Sequence, residues 1–382
     1  NKLLDSGLAE TVKLVNDLYA DDVNILSMNF DTMRKISNQK NGRDFLVKKN
    51  LVPSLLNNIK KCADHENPQA VINGFSVLDN LSRDEAGKEA IKEANAMEIL
   101  SDVLNTFDND ERVLKMGAKI YSKISKEEDM RQQLEIVKNC DKKIQTDPNQ
   151  DNLKELEKAL ILVSNLMLVE DIGKVACEDD NYKMLMDLYD HICKLDLTGK
   201  SPDYLKTYTM LNKYFMVVFQ RIFAAVPEIL DKNSEKGKQS EGLFKNIQNS
   251  VIKIREGDQA GIDKLEADKD TTGGVEMLTK SFREYFTSFD DNLIQFFQAA
   301  KPDENELDPN LIKVLEYVIE HVIGNGKKYF GVDEKANYAA SRILKLASEV
   351  VKRYPTVSQT LPPSLEKTFP YMKSVVNISE YL

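Results

Sequence analysis

Between Asp31 and Met186 the chain repeats itself. The segment ISNQKNGRDFLVKKNLVPSLLNNI from Ile36 aligns with LSRDEAGKEAIKEANAMEILSDVL from Leu81 at a shift of 45 residues, so that Gly42 meets Gly87, Asn50 meets Asn95 and Leu55 meets Leu100. Five-residue strings mark further copies: M-R-K-I-S at Met33, L-D-N-L-S at Leu78, Y-S-K-I-S at Tyr121 and V-S-N-L-M at Val163, at intervals of 45, 43 and 42 residues. A helical unit of this length cannot bury its own apolar face, so copies stack side by side into a rod, and binding falls to the surface the stack exposes. Function is therefore expected in a surface rather than in a catalytic pocket.

Each string closes an amphipathic stretch. In PQAVINGFSVLDNL, Val71, Phe75, Leu78 and Leu81 recur at helical spacing, and ERVLKMGAKIYSKI is the corresponding stretch of the next copy. Pro68 suits the first turn of such a helix, where its missing N–H costs little. After each string comes a short polar helix carrying Phe45 and Leu46, or Ala90 and Ile91, then an Asn, then a second apolar helix. Asn50 and Asn95 stand where a left-handed turn would end the short helix, a conformation Asn tolerates better than any residue but Gly. The unit reads short helix, medium helix, long helix.

This pattern resembles the armadillo repeat, whose long helix ends in a motif like L-x-N-L-S. The likeness is strongest over residues 31–191. It implies an all-α fold, an α-α superhelix of the right-handed armadillo type, irregular in its second half. The expected organisation is armadillo-like repeats over 1–195, a continuing helical repeat over 196–231, a polar loop with one helix over 232–274, further helical repeats over 275–353, and a Pro-rich cap or tail over 354–382. The polar stretch KNSEKGKQSEG and the run EGDQAGIDKLEADKDTTGG flank the amphipathic piece LFKNIQNSVIKI, a composition that buries little apolar area.

Composition removes several functional classes. With 382 residues, 42% hydrophobic and 30% charged, the chain can form a large folded body, and its net charge of -10 opposes general affinity for nucleic acid. Cys62, Cys140, Cys177 and Cys193 are scattered without a C-x-x-C pair and only His65, His191 and His321 accompany them, so no metal site is expected. Few, irregular cysteines suggest buried thiols in a reducing compartment, placing the protein in the cytoplasm or nucleus. An apolar run of the ~18 residues a membrane span requires is missing. Because the chain opens on Asn1, it is expected to be a piece of something longer.

Other motifs yield bland readings. IGNGKKYFG, with Gly324, Gly326 and Gly331, lacks phosphate-loop spacing and reads as a helix stop. The acidic runs from Asp108 and Asp147 lack the central Gly of a calcium loop and carry Lys119 and Lys158 where its bidentate Glu belongs, so they read as turns and helix starts. The aromatic series Leu211, Phe215, Phe219, Phe223 and Phe282, Phe286, Phe289, Leu293, Phe296 read as core. Asp190, His191 and Cys193 invite comparison with a thiol dyad, but near neighbours on one helix point in different directions. No catalytic residues, cofactor or small-molecule substrate are expected.

The resemblance supplies the candidate site. In armadillo proteins the long helices line a concave groove and the Asn of L-x-N-L-S binds the backbone of an extended peptide. The matching positions here are Lys35, Asn80, Lys123 and Asn165, with Lys119 one turn before Lys123 and Lys345 in a late echo of the motif. Amides suit a peptide backbone, and ammonium groups suit acidic side chains on the guest. Where nuclear-import adaptors of this family carry Trp, this chain has Asp31, Ser76, Lys119 and Ile161, and it contains no Trp at all. An extended or acidic protein segment is thus the expected partner, with a scaffold or adaptor role in a cytoskeletal or ciliary assembly. Two readings stand beside it: a regulator of a folded partner, such as a GTPase-exchange factor or a myosin-type chaperone, and a purely structural role in which Asn80 and Asn165 tie neighbouring repeats together. Reversing Lys35 and Lys123 to Glu is expected to weaken binding of an acidic partner without changing the helical melt.

Overall fold

The computed structural model describes residues 8–19, 21–107 and 110–226, together with Leu243, Asn246, Ser250 and Lys253. Among them the fold is all-α, without strands. The helices are α1 (Leu8–Leu18), α2 (Val23–Ser37), α3 (Lys40–Lys48), α4 (Val52–Asp64), α5 (Pro68–Leu81), α6 (Glu85–Glu93), α7 (Ala96–Thr106), α8 (Glu111–Ile124), α9 (Glu127–Thr146), α10 (Gln150–Leu166), α11 (Glu170–Gly173), α12 (Asp179–Lys194) and α13 (Pro202–Ala225), with a 3-10 turn over Lys174–Cys177 after α11.

The long helices begin alike. Asp22, Asn67 and Asp110, one repeat apart, precede α2, α5 and α8, and each side-chain oxygen accepts from first-turn N–H groups: Asn24 and Ile25, then Ala70, then Arg112 and Val113. Such caps satisfy donors that an α-helix leaves orphaned. The short helices end alike too. Asn50 (φ 52°) and Asn95 (φ 55°) are left-handed, as their sequence position predicts, and Glu66 (φ 51°) makes an unforeseen third such turn between α4 and α5.

Gly42 and Gly87 mark the tightest corner of each unit. A Cβ on Gly42 would lie 1.9 Å from the Ile36 carbonyl oxygen, and one on Gly87 2.0 Å from that of Leu81. The short helix therefore folds back onto the end of the preceding long helix at a distance only Gly permits.

The third copy departs from the expected unit. In place of a short and a medium helix stands α9, a single helix of 20 residues. The reason lies in two residues: Met130 occupies the position of Gly42 and Gly87, so the tight corner cannot form, and Lys138 occupies that of Asn50 and Asn95, so nothing favours a left-handed stop. The pattern then returns, with a short α11, a medium α12 and a long α13. Gly173 again faces a carbonyl six residues back, that of Met167, with its absent Cβ 3.2 Å away.

The chain divides into two compact units, residues 1–135 with 161–176, and residues 136–160 with 177–382. In the first, helices of equal rank pack on one another: α2 on α5 and α5 on α8, α1 on α4 and α4 on α7, α3 on α6. Leu26, Phe30, Met33, Leu55, Ile59, Val71, Phe75, Leu78, Leu100 and Ile120 are fully buried between these rows. Each such side chain contributes about 1.5–3 kcal/mol by leaving water, more than the ~0–1 kcal/mol of an exposed ion pair, so apolar stacking holds this unit together.

In the second unit Leu211, Phe215, Phe219 and Phe223 of α13 are buried, and Tyr189 of α12 lies 4.9 Å and 5.6 Å, centroid to centroid, from Phe215 and Phe219. These aromatics are packing residues. Four residues of the stretch 232–274 are described, all helical: Leu243 and Ser250 are buried, Asn246 donates to Asp190, and Lys253 donates to the Cys193 and Leu195 carbonyls at the end of α12. The second aromatic series, the Gly324–Gly331 run, the repeats expected over 275–353 and the Pro-rich tail lie outside the described residues.

Candidate functional site

The positions matched to the armadillo groove fall at one level of α2, α5 and α8 in the first unit. Asn80 is buried, and its amide nitrogen reaches back to the preceding long helix: to the Arg34 carbonyl at 3.2 Å, Ser37 Oγ at 3.0 Å and Asn38 Oδ1 at 3.2 Å. Lys123 makes the equivalent link one layer on. Its Nζ bonds the Asp79 carbonyl, the counterpart of Arg34, at 3.1 Å and also the Asp79 carboxylate. An amide in one layer and an ammonium in the next thus tie successive long helices.

Asn165 breaks this pattern. It donates to Ser101 of α7, to Oγ at 2.9 Å and to the carbonyl at 3.4 Å. Ser125, counterpart of the Ser37 that receives Asn80, is buried with no hydrogen-bond partner for its Oγ. The departure comes directly after the third copy, the one in which α9 stands in place of two helices. Lys345 lies outside the described residues.

Lys35 and Lys119 are the exposed members of the set, with 69% and 54% of their side chains accessible. Each shares a carboxylate with a second cation. Asp31 holds Lys35 at 2.7 Å and Arg34 at 2.5 Å; Asp79 holds Lys119 at 2.8 Å and, more closely, Lys123. Hydrogen bonds from Lys35 and Arg34 pull the Asp31 carboxyl below its ordinary pKa. For Asp79 burial acts in the opposite direction, but the hydrogen bonds from Lys119 and Lys123 outweigh it and the net shift is again downward. Two cations around one anion leave a formal excess of one positive charge at each cluster.

Between the clusters, Ser76 of α5 is partly exposed and bonds only its own helix, at the Ile72 carbonyl. Asp31, Ser76 and Lys119 occupy the same repeat position and form a row across α2, α5 and α8. The motif marked Lys35, Lys119 and Lys123 for this face but not Asp79, whose counterparts in the other copies are Arg34, Ser122 and Ser164. The partner of Asp79 depends on side-chain reach between layers 40 and 44 residues apart.

In the second unit, His191 Nδ1 lies 3.1 Å from Asp141 and 3.2 Å from Gln145, while Cys193 Sγ pairs with Ser250 Oγ. His191 and Cys193 therefore have separate partners. All four cysteines are free and buried, and burial pushes Cys62 and Cys140 up to about 11 and Cys193 up to about 12, away from nucleophilic use. The Asp147 run is a turn and helix start, with Asn149 capping α10 at Asn152. Among the described residues no group of three or more His, Cys, Asp or Glu side chains could hold a metal ion, and no helix is long and apolar enough to cross a membrane.

No family model matches the chain. No curated protein matches it either. Among solved structures it is similar to the crystal structure of an engineered protein from a structural genomics consortium, with 14% identity over 96% of this chain and 97% of that one and a TM-score of 0.29, a likeness too slight to bear on fold or function.

Proposed function

We propose that this protein is a non-enzymatic scaffold or adaptor of the armadillo type, which holds a segment of another protein against the long-helix face of its first unit. The observation that carries this reading is the row of equivalent positions, Asp31, Ser76 and Lys119, presented by α2, α5 and α8 above the ties that hold those helices together. Packed helices lie about 8–10 Å apart, and an extended chain advances about 3.3 Å per residue, so a guest crossing the row would offer one side chain to each layer every three residues. Asn80 and Lys123, committed to neighbouring layers, brace this face from beneath. We also propose the cytoplasm or nucleus as its location, on the support of four free buried thiols, with cytoskeletal or ciliary assemblies as the setting.

The test is affinity purification of the full chain with mass spectrometry of what accompanies it, repeated with Ser76→Glu and with Lys119→Gln. Ser76 bonds its own helix, so Ser76→Glu should leave the helical melt in place, whereas Lys119→Gln gives up the pair with the buried Asp79 and its binding is compared at a temperature well below its own melt. A partner bound to this face should be weakened at least tenfold by one or both; a partner retained unchanged by both removes the site. Deletion of 232–274, a natural control for binding through that stretch, would also strip Asn246, Ser250 and Lys253 from α12, so point substitutions are the cleaner comparison.

A further inference from the structure

The charge on this face is not spread along it. On α2, Asp31 is shared by Arg34 and Lys35; between α5 and α8, Asp79 is shared by Lys119 and Lys123. The flanking cations of α8 are matched one to one, Arg112 by Asp110 and Lys115 by Glu111. Ser76 stands between the two clusters and carries no charge. In the second cluster the anion lies beneath, 7% exposed, while the Lys119 ammonium stands outward. In the first, Lys35 stands outward in the same way. Each cluster therefore shows solvent one cation beyond what its own carboxylate balances, against a chain whose overall charge of -10 would otherwise repel acidic guests.

Resting on the binding face proposed above, we infer that its guest is an acidic peptide segment read at two points, one carboxylate at the Arg34–Asp31–Lys35 cluster and one at the Lys119–Asp79–Lys123 cluster. The clusters are two helix layers apart, roughly 16–20 Å, which an extended peptide covers in about five or six residues. The selected feature is thus a spacing of acidic residues. A segment with the same acids side by side can satisfy only one cluster. Because both cations are accessible, the preference shrinks as salt screens them.

The inference can be tested with two labelled twelve-residue peptides of identical composition, Ser and Gly throughout except for two Glu, placed either six residues apart or adjacent. Fluorescence anisotropy is measured on the full chain and on the double variant Lys35→Gln with Lys119→Gln, which removes one excess charge from each cluster and leaves Asp31 with Arg34 and Asp79 with Lys123. The spaced peptide should bind at least fivefold more tightly than the adjacent one, and the double variant should erase the difference. Equal binding of the two peptides, no binding of either, or a preference that survives in the variant overturns the two-point reading. If the peptides bind equally while Ser76→Glu or Lys119→Gln still releases a co-purified partner, the face stands and only its spacing rule falls; if no partner responds to either substitution, the face itself is wrong.

Discussion

Gly42 and Gly87 invert a common expectation about helices. Gly to Ala in a helix usually stabilises by about 1 kcal/mol, because Ala surrenders less backbone freedom. Here the added methyl would meet a backbone carbonyl at 1.9 or 2.0 Å, and backbone cannot yield as a side-chain tip can. Gly42→Ala and Gly87→Ala should each destabilise by about 3 kcal/mol, read as a lowered urea midpoint. Asp79 makes a second prediction. Its folded pKa lies below the ordinary 3.8, so ionised Asp79 stabilises the fold above pH 3.8, and that contribution fades as pH falls through the lower folded value. Asp79→Asn should therefore be less stable than the parent at neutral pH, with the gap closing in acid. The sequence displayed the glycines plainly, because identical strain recurs at an identical place. It did not display Asp79, whose importance comes from lysines three helices further along the chain. That contact also changes the expectation for Lys123→Glu, which would set two carboxylates together around a buried position and lower the melt as well as any binding.

At the level of the helix, the left-handed Asn is what separates short from medium. Asn95→Ala should cost about 1 kcal/mol, since Ala bears the full left-handed penalty, whereas Asn95→Gly should leave stability unchanged or slightly raised; thermal melts followed by circular dichroism separate the two. The same logic explains where the reading of the sequence failed. The five-residue strings close α2, α5 and α8, but they contain no information about the residues that follow. Met130 and Lys138, in place of Gly and Asn, were the visible signs that the third copy would run on as α9. They are informative only once the corner at Gly42 is known to need a missing Cβ. Asn165 differs from Asn80 for the same reason: a motif transfers a residue type, while the direction of its amide depends on the helix packed beside it.

Across the first unit, a periodic sequence produced rows of like helices, but the ties between successive helices of a row are not all made from the same chemistry. The join from α2 to α5 rests on the neutral amide of Asn80, and the join from α5 to α8 on the charged Nζ of Lys123 together with Lys119. Neutral hydrogen bonds are indifferent to dissolved ions, while partly accessible ammonium–carboxylate contacts weaken as the Debye length contracts from about 10 Å at 0.1 M to about 3 Å at 1 M. Brine should therefore loosen one seam and spare the other: hydrogen exchange in molar sodium chloride ought to quicken in α8 well before it does in α2.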